Sequence, residues 1–583
     1  MISAVLATYG RLEVLKRTLP TVLQQDIAGN AYEIVVVIDG PDDATYEWLR
    51  SLSLEGRLSI VQQERRGLAA ARNSGIRKAA GELVLFLDDD LICDQRLVRA
   101  HACAHRNGPL VAMGPVLVSE ESPRTLATRW VRRASVARAE RMLASGPDWP
   151  RDIAVCANYS APRELLLAYG GFDETLVGAC EEFDLGIRLR KAGVEFRYLP
   201  DAVASEIYVK SADAMVQNDC RARGRNEVRL CRKHPEYRPV SPLAGFDQGS
   251  AITRLLRRAA VRAPFSLDEV LAPIYRGAEA ASEMGGIAEG IAMRLLEFRR
   301  GNALFRSAKQ EAGSWRAFER EFSVKLPVLL YHRVGAPSAA IDPELCVSRA
   351  AFERQMEWLA RWNFATITPS QWFGWISRGT PLPPHAMMLT FDNDSSEMTD
   401  YIFPVLGRHG FCAAVFIAAG RIAQGSESAS TNGSRARGAI TAEQVRSWSA
   451  RGIEFGVRER RESNLAALRD SELDAEIAAS AEDLARVAGA RPIAFAYAEG
   501  QVPSKIREAV GKVFALGFTD ARGFNYLGTD PALLRRIAIR GTDTMLDFAC
   551  RVRLGMHPLK NNRSDFRAAA ISPALLRTES KCR

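Results

Sequence analysis

Residues 83–91 read LVLFLDDDL, and this stretch decides how the first half of the chain folds. Five apolar residues in succession suit a strand buried on both faces, as in parallel sheets covered by helices. Three aspartates follow where that strand ends. Carboxylates at the carboxyl edge of a parallel strand face the crevice in which open α/β sheets bind ligands. Side chains two apart on an extended chain point the same way, so Asp88 and Asp90 can act together on a divalent cation, Mg²⁺ or Mn²⁺. A solvated turn would use the same triplet, and the neighbouring sequence has to decide between the two.

Working outward, AVLATY, EIVVVID and LSIVQQ are further strands, each followed by a helix or a turn. This βαβ rhythm predicts a mostly parallel, Rossmann-like sheet with helices on both faces. Asp39 closes EIVVVID, in position to accept hydrogen bonds from a ribose or a base. RGLAAARNSGI opens a helix with a glycine and three alanines. Small residues there let backbone and diphosphate approach, with Arg72 and Asn73 as donors beside a helix start that favours anions. Further on, GGFDETLVGACEEFDLGIRLRKAG places Glu181, Glu182 and Asp184 at the start of an amphipathic helix. One of these carboxylates can serve as a general base, although one would suffice to complement the helix dipole.

The order of VLATYGR, VVVIDGPDDAT, GLAAARNSGI, FLDDDL, GGFDE and EEFDLGIRLRKAGVEFRYLPDA resembles the family 2 glycosyltransferases of GT-A fold. The resemblance implies an inverting enzyme that moves a sugar from a nucleotide-sugar donor to a glycan or lipid-linked acceptor. It implies nucleotide-sugar contacts at Thr8, Asp39, Arg72, Asn73 and Asp89, and a metal-diphosphate pair at Asp88 and Asp90. Glu182 stands at the position of the catalytic base, where the family usually has Asp. After the next strand, where members often carry His, PDAVASEIYVK has Glu206. Acceptor choice is expected in loops between residues 115 and 154.

From Leu326 a second alternating region begins: LPVLLYH, FATIT, AMMLTFD, AAVFIA, IEFGV, IAFAYA and FALGFTD. Strands at this spacing, with helices between, predict a distorted (β/α) barrel. VLLYHRVG, MLTFDND, FPVLGRHGFCAAVFI and LRRIAI resemble the polysaccharide deacetylases of NodB homology. Members use a Thr-Phe-Asp-Asp motif and a His-x-x-x-His motif around a metal. Here Asp392 stands at the first aspartate, Asn393 replaces the second, Arg458 and Glu462 replace the histidines, and Ala498 replaces a proline. Imidazole donates a neutral nitrogen to a metal, whereas guanidinium repels a cation. The barrel is therefore expected to keep its fold, to hold no metal and to have lost deacetylation.

The expected organisation is a transferase domain over 1–240, a helical connector over 241–325, the deacetylase-like domain over 326–557 and a basic tail over 558–583. Within the connector, Ser266 and Glu269 suggest a capping box, and Pro273 with Gly285-Gly286 should break the helices. Thr441 and Gln444 suggest another capping box, after a low-complexity loop at 425–438.

The 583 residues suggest three or four units at about 150 residues each. Ten scattered cysteines without a C-x-x-C pair suit a reducing compartment. With no long apolar run and no signal-like start, a cytoplasmic protein is expected. A net charge of +9, with arginines at 129, 132, 133, 138 and 141 and at 254, 257, 258 and 262, allows peripheral contact with a membrane. No motif points to nucleic acid. Two alternatives stay open: a bifunctional transferase and deacetylase acting on N-acetylhexosamine glycans, and a non-catalytic regulatory or carbohydrate-binding partner.

Overall fold

The computed structural model describes residues 1–27, 32–52, 54, 56–147, 157–335, 342–393, 395, 398–422, 440–458, 465–497 and 502–555. The chain forms two compact units, Met1–Phe318 and Glu319–Arg583, fewer than its length suggests.

In the first unit, strands run β1 (Ile2–Thr8), β2 (Tyr32–Asp39), β3 (Leu58–Gln63), β4 (Leu83–Asp88), β5 (Leu91–Cys93), β6 (Leu110–Met113), β7 (Val116–Val118), β8 (Tyr159–Pro162), β9 (Glu195–Tyr198) and β10 (Ala204–Glu206). Seven form one sheet in the order β3-β2-β1-β4-β8-β6-β9. All its pairings are parallel except those of β8 with β4 and β6. Val35, Val37, Val84 and Phe86 pack one face, and Ile34, Val36, Leu85 and Leu87 the other. Burial on both faces explains the unbroken apolar runs. Because β1, β2 and β4 are parallel, Thr8, Asp39 and Asp88 all lie at one carboxyl edge.

The helix Leu68–Lys78 packs closely on this sheet: a Cβ added at Gly75 would stand 2.2 Å from Val5 Cγ1. A second, three-stranded sheet, β5-β10-β7, sits beside the triplet.

The stretch expected as a connector is largely helical, and its residues up to Phe318 belong to the first unit. The helix Leu267–Ala281 runs through Pro273, contrary to the expected break. Proline there forfeits one main-chain bond at about 3 kcal/mol. Stacking of Arg299, from the next helix, 4.9 Å from the Tyr275 ring centroid helps to offset that loss. The Ser266 capping box does not form either, since the Glu269 N–H donates to the main-chain carbonyl of Ser266 at 3.2 Å. The glycine pair does interrupt the helices, and the next one begins at Gly286.

The second unit adds β11 (Val328–Tyr331), β12 (Arg333–Val334), β13 (Cys346–Val347), β14 (Ala365–Thr366), β15 (Ala386–Phe391), β16 (Ala413–Ile417), β17 (Ile453–Val457), β18 (Ala494–Ala496), β19 (Leu516–Phe518) and β20 (Ile537–Ala538). Its main sheet is parallel, in the order β19-β18-β17-β16-β15-β11-β20, with β14 also on β15. A bridge between Phe518 and Leu534 brings the two ends of the sheet toward each other. The capping box at Thr441 and Gln444 is formed. The loop at 425–438 and the tail at 558–583 lie outside the described residues.

Candidate active site

The triplet after β4 divides its labour. Asp89 turns inward, accepting from the Thr8 hydroxyl at 2.7 Å and from Arg11 Nη1 at 2.7 Å. It was expected beside the nucleotide, but its side chain is only 5% exposed and it braces β4 to β1. Thr8 is committed to the same bond and is itself buried. Asp88 is the open member, its side chain 38% exposed and bonded on one oxygen to Arg72 Nη2 at 2.9 Å. Asp90 pairs with Arg11 Nη2 at 2.8 Å.

Glu206 joins this group through backbone register. In β10 it pairs opposite Leu91, and the Ile207 N–H donates to the Asp90 carbonyl at 2.9 Å. Burial, then the charges of Asp90 and Asp88, push the Glu206 carboxyl up to about 7. Burial and Asp88 likewise raise Asp90, against the opposing pull of Arg11. These carboxylates repel one another, which is the electrostatic condition that a cation relieves. Among the described residues no three His, Cys, Asp or Glu side chains form a complete ligand set. A hard cation here would draw further oxygens from phosphate and water, as Mg²⁺ commonly does.

Arg72 connects the triplet to the helix Glu181–Lys191. It is buried, with Nη2 on Asp88 and Nη1 3.6 Å from Glu181. Burial and the adjacent Glu182 raise the Glu181 carboxyl above its ordinary range. Oε2 of both Glu181 and Glu182 is buried with no hydrogen-bond partner among the described residues. Such orphaned acceptors are costly unless a bound hydroxyl or ion satisfies them.

The helix that carries Glu182 is fixed on two sides. Cys180 before it adopts φ 73°, a left-handed conformation costing about 1–3 kcal/mol in a non-glycine residue. Its Sγ lies 3.8 Å from the fully buried Glu227, which also accepts from Arg223 at 2.6 Å and Ser241 at 2.9 Å. One turn into the helix, buried Asp184 meets Arg188 at 2.8 Å, Lys233 at 2.7 Å and His234 at 2.8 Å. Although burial opposes ionisation, hydrogen bonds from His234 and Lys233 and the Arg188 charge hold its carboxyl well below the usual range.

Two further expected ligand contacts also organise loops. Asp39 accepts from the main-chain N–H groups of Arg66 and Gly67 at 2.9 and 2.8 Å and from Gln63 at 2.8 Å, its partner in register on β3. Asn73, expected to face the diphosphate, donates to the Phe172 carbonyl and to Glu174, both at 2.9 Å, and accepts from the Phe172 N–H at 2.8 Å. Gly171, at φ 65°, is required there, since a Cβ would stand 2.3 Å from Asn73 Oδ1. At the open edge, Arg65 stacks on the Tyr9 ring with its guanidinium carbon 4.2 Å from the centroid.

Residues 126–145, expected within acceptor loops, form the single helix Leu126–Ser145. Sequence reasoning missed Arg11. The signal for it was an arginine three residues beyond the end of β1, near the edge where the three aspartates follow β4.

The second unit has an aspartate at the matching strand end. Asp392 follows β15 and accepts from Arg536 Nη1 at 2.6 Å; Arg536 Nη2 donates to Asp520 at 2.8 Å and its Nε to the Thr519 carbonyl at 3.1 Å. Arg536 is fully buried. Asn393 Oδ1 accepts from the Ser395 N–H at 3.0 Å and so caps a turn. Arg458 follows β17 at the same sheet edge, its N–H bonded to the Ile417 carbonyl at 3.0 Å. Glu462 and Ala498 lie outside the described residues.

Residues 3–161 match Glycosyl transferase family 2, and residues 379–514 match Polysaccharide deacetylase. The chain thus carries a family 2 glycosyltransferase domain near its start and a polysaccharide deacetylase domain toward its end. It is 29% identical over 268 residues to Validoxylamine A glucosyltransferase of Streptomyces hygroscopicus subsp. jinggangensis, covering 41% of this chain and 62% of that protein. It is 25% identical over 292 residues to the Uncharacterized glycosyltransferase YfnE of Bacillus subtilis, covering 42% of this chain and 73% of that one. Among solved structures, the Streptococcus pyogenes deacetylase PplD in complex with acetate matches at 20% identity and TM-score 0.34, covering 38% of this chain and 94% of that one. The chain spans about three-fifths of the length of the Streptomyces relative.

Proposed function

We propose that the first unit transfers a hexosyl or N-acetylhexosaminyl group from a nucleotide-sugar donor to a glycan or lipid-linked acceptor, with inversion at the anomeric carbon. One observation carries the reading. Asp88 and Asp90 after β4 and Glu206 in β10 of the neighbouring sheet form one acidic group, and Arg72 ties Asp88 to Glu181 on the helix that also carries Glu182.

The donor set fits Mg²⁺ or Mn²⁺: it is all oxygen, self-repelling and partly open at Asp88. Asp88 and Asp90 would hold that cation, with Glu206 beside them, and its chemistry is to neutralise charge on the departing diphosphate. Thr8 and Arg11 hold Asp89 and so orient its two neighbours. Asp39 shapes the loop before the helix Leu68–Lys78, whose N-terminus favours the donor's phosphates. Glu182, on its braced helix, takes the proton from the acceptor hydroxyl as that oxygen attacks. Names of the relatives support sugar transfer: one names a glucosyl group and the other no sugar.

The second unit, in this reading, is a carbohydrate-binding or scaffolding barrel without metal-dependent deacetylation. Arg536 already neutralises Asp392, Asn393 is a weaker ligand than aspartate, and Arg458 brings positive charge to the same edge. That donor set does not fit a catalytic metal.

A thermal-shift screen of nucleotide sugars tests the transferase reading, because ligands that bind the folded state raise its apparent stability. At least one donor is expected to raise Tm with Mn²⁺ and to lose that effect in Asp90→Ala. Absence of any Mn²⁺-dependent shift or hydrolysis across the panel would sink it. Chelator-sensitive release of acetate from N-acetylated oligosaccharides would overturn the reading of the second unit.

A further inference from the structure

The helix Ala251–Arg262, AITRLLRRAAVR, is anchored along one side only. Ala260 and Val261 are buried. Its last carbonyls are held by cations from the helix Gly286–Glu311: Lys309 donates to Val261 at 2.7 Å and Arg306 to Ala263 at 3.0 Å. The opposite side is bare and apolar. Ile252 is 71% exposed, Leu255 68% and Leu256 53%, at the spacing of one helix face. Phe265 just beyond the helix is exposed, and so are Val270 and Ile274 on the next one.

Charge on this helix is all of one sign. It holds four arginines and no acidic residue. Arg254 and Arg257 donate to the main-chain carbonyls of Gly249 and of Gly245, Phe246 and Gln248. Arg258 pairs with Asp247, whose side chain is 2% exposed, and Arg262 lies over the Trp315 ring. The helix thus turns an apolar ridge outward, while its four arginines, drawn onto neighbouring groups of the protein, leave it basic. No described helix is long and apolar enough to cross a bilayer.

We infer that this helix docks the protein on an anionic lipid surface, with Ile252, Leu255 and Leu256 entering the headgroup boundary and the positive charge of the helix drawing it toward lipid phosphates. A helix of high apolar asymmetry and basic flanks lies in the interface plane, and its affinity adds buried apolar area to attraction for anionic lipid. Positive charge complements a bilayer better than it complements a second copy, which would bring the same four arginines face to face.

Flotation of the full chain with vesicles, without nucleotide sugar, tests this independently of catalysis. Vesicles of phosphatidylglycerol and phosphatidylcholine in equal parts should carry the protein upward, and phosphatidylcholine alone should not. Salt should weaken binding. The double substitution Leu255→Ser/Leu256→Ser removes exposed side chains and should keep Tm while lowering the partition coefficient by roughly tenfold or more. Arg254→Glu should lower it further. Three results would overturn the inference: no flotation with either vesicle, equal binding by the serine variant, or a wild-type dimer in sedimentation that the serine variant dissolves.

Discussion

Two aspartates occupy the same topological place in the two units. Asp88 ends a buried parallel strand in the first and Asp392 follows one in the second, yet their surroundings differ in charge. Asp88 is 38% exposed and faces Asp90 and Glu206, with the guanidiniums of Arg11 and Arg72 at the margins. Asp392 is 6% exposed and locked to a fully buried arginine that also satisfies Asp520. A strand end positions a carboxylate at a crevice, but its neighbours decide whether it has charge left for a ligand. The corner around Asp88 keeps excess negative charge, whereas Asp392 has already spent its own on Arg536.

The largest expected break in this contrast is Glu182→Gln. Removing the proposed base should lower transfer by about 10³-fold while Mn²⁺-dependent donor binding survives, as steady-state rates beside calorimetric titration would show. Next comes the pair Arg536→Met and Arg11→Met, followed by denaturant unfolding. Loss of Arg536 strands two carboxylates and should cost the second unit about 3–5 kcal/mol, with no recovery on adding Mn²⁺. Loss of Arg11, whose side chain is 36% exposed, should cost less, and Mn²⁺ should restore it because a cation can replace the missing guanidinium.

Asp184→Asn tests the brace beneath the base and should cost about 2 kcal/mol at pH 7. The native carboxyl is held below its unfolded value, so its stabilisation is complete above about pH 4 and drains away as pH falls through the lowered value. Wild type should therefore lose more stability than the variant between pH 5 and pH 2. The smallest effect belongs to Glu206→Gln, which should weaken Mn²⁺ binding about tenfold and leave the fold unchanged.

Strand runs and motif order were legible in the sequence because burial on both faces writes itself as unbroken apolar stretches. LVLFLD and AMMLTFD are both strands where expected. Side-chain destinations were less legible. Thr8, Asp39, Asp89 and Asn73 have the chemistry of ligand contacts, and in the fold they also hold loops and neighbours through bonds 24 to 101 residues apart in sequence. Such long-range partners leave no local pattern. Pro273 and Ser266 misled for a related reason: tertiary packing of Tyr275 and a main-chain bond outweighed local helix signals.

Arg11 makes the first unit's acidic corner its own placeholder. Loading a divalent ion there is an exchange, with one resident cation yielding contacts to an incoming one, so the gain is the difference between two similar states. A chelator should consequently silence the protein without unfolding it, and apparent metal affinity should stay modest however many carboxylates crowd the corner.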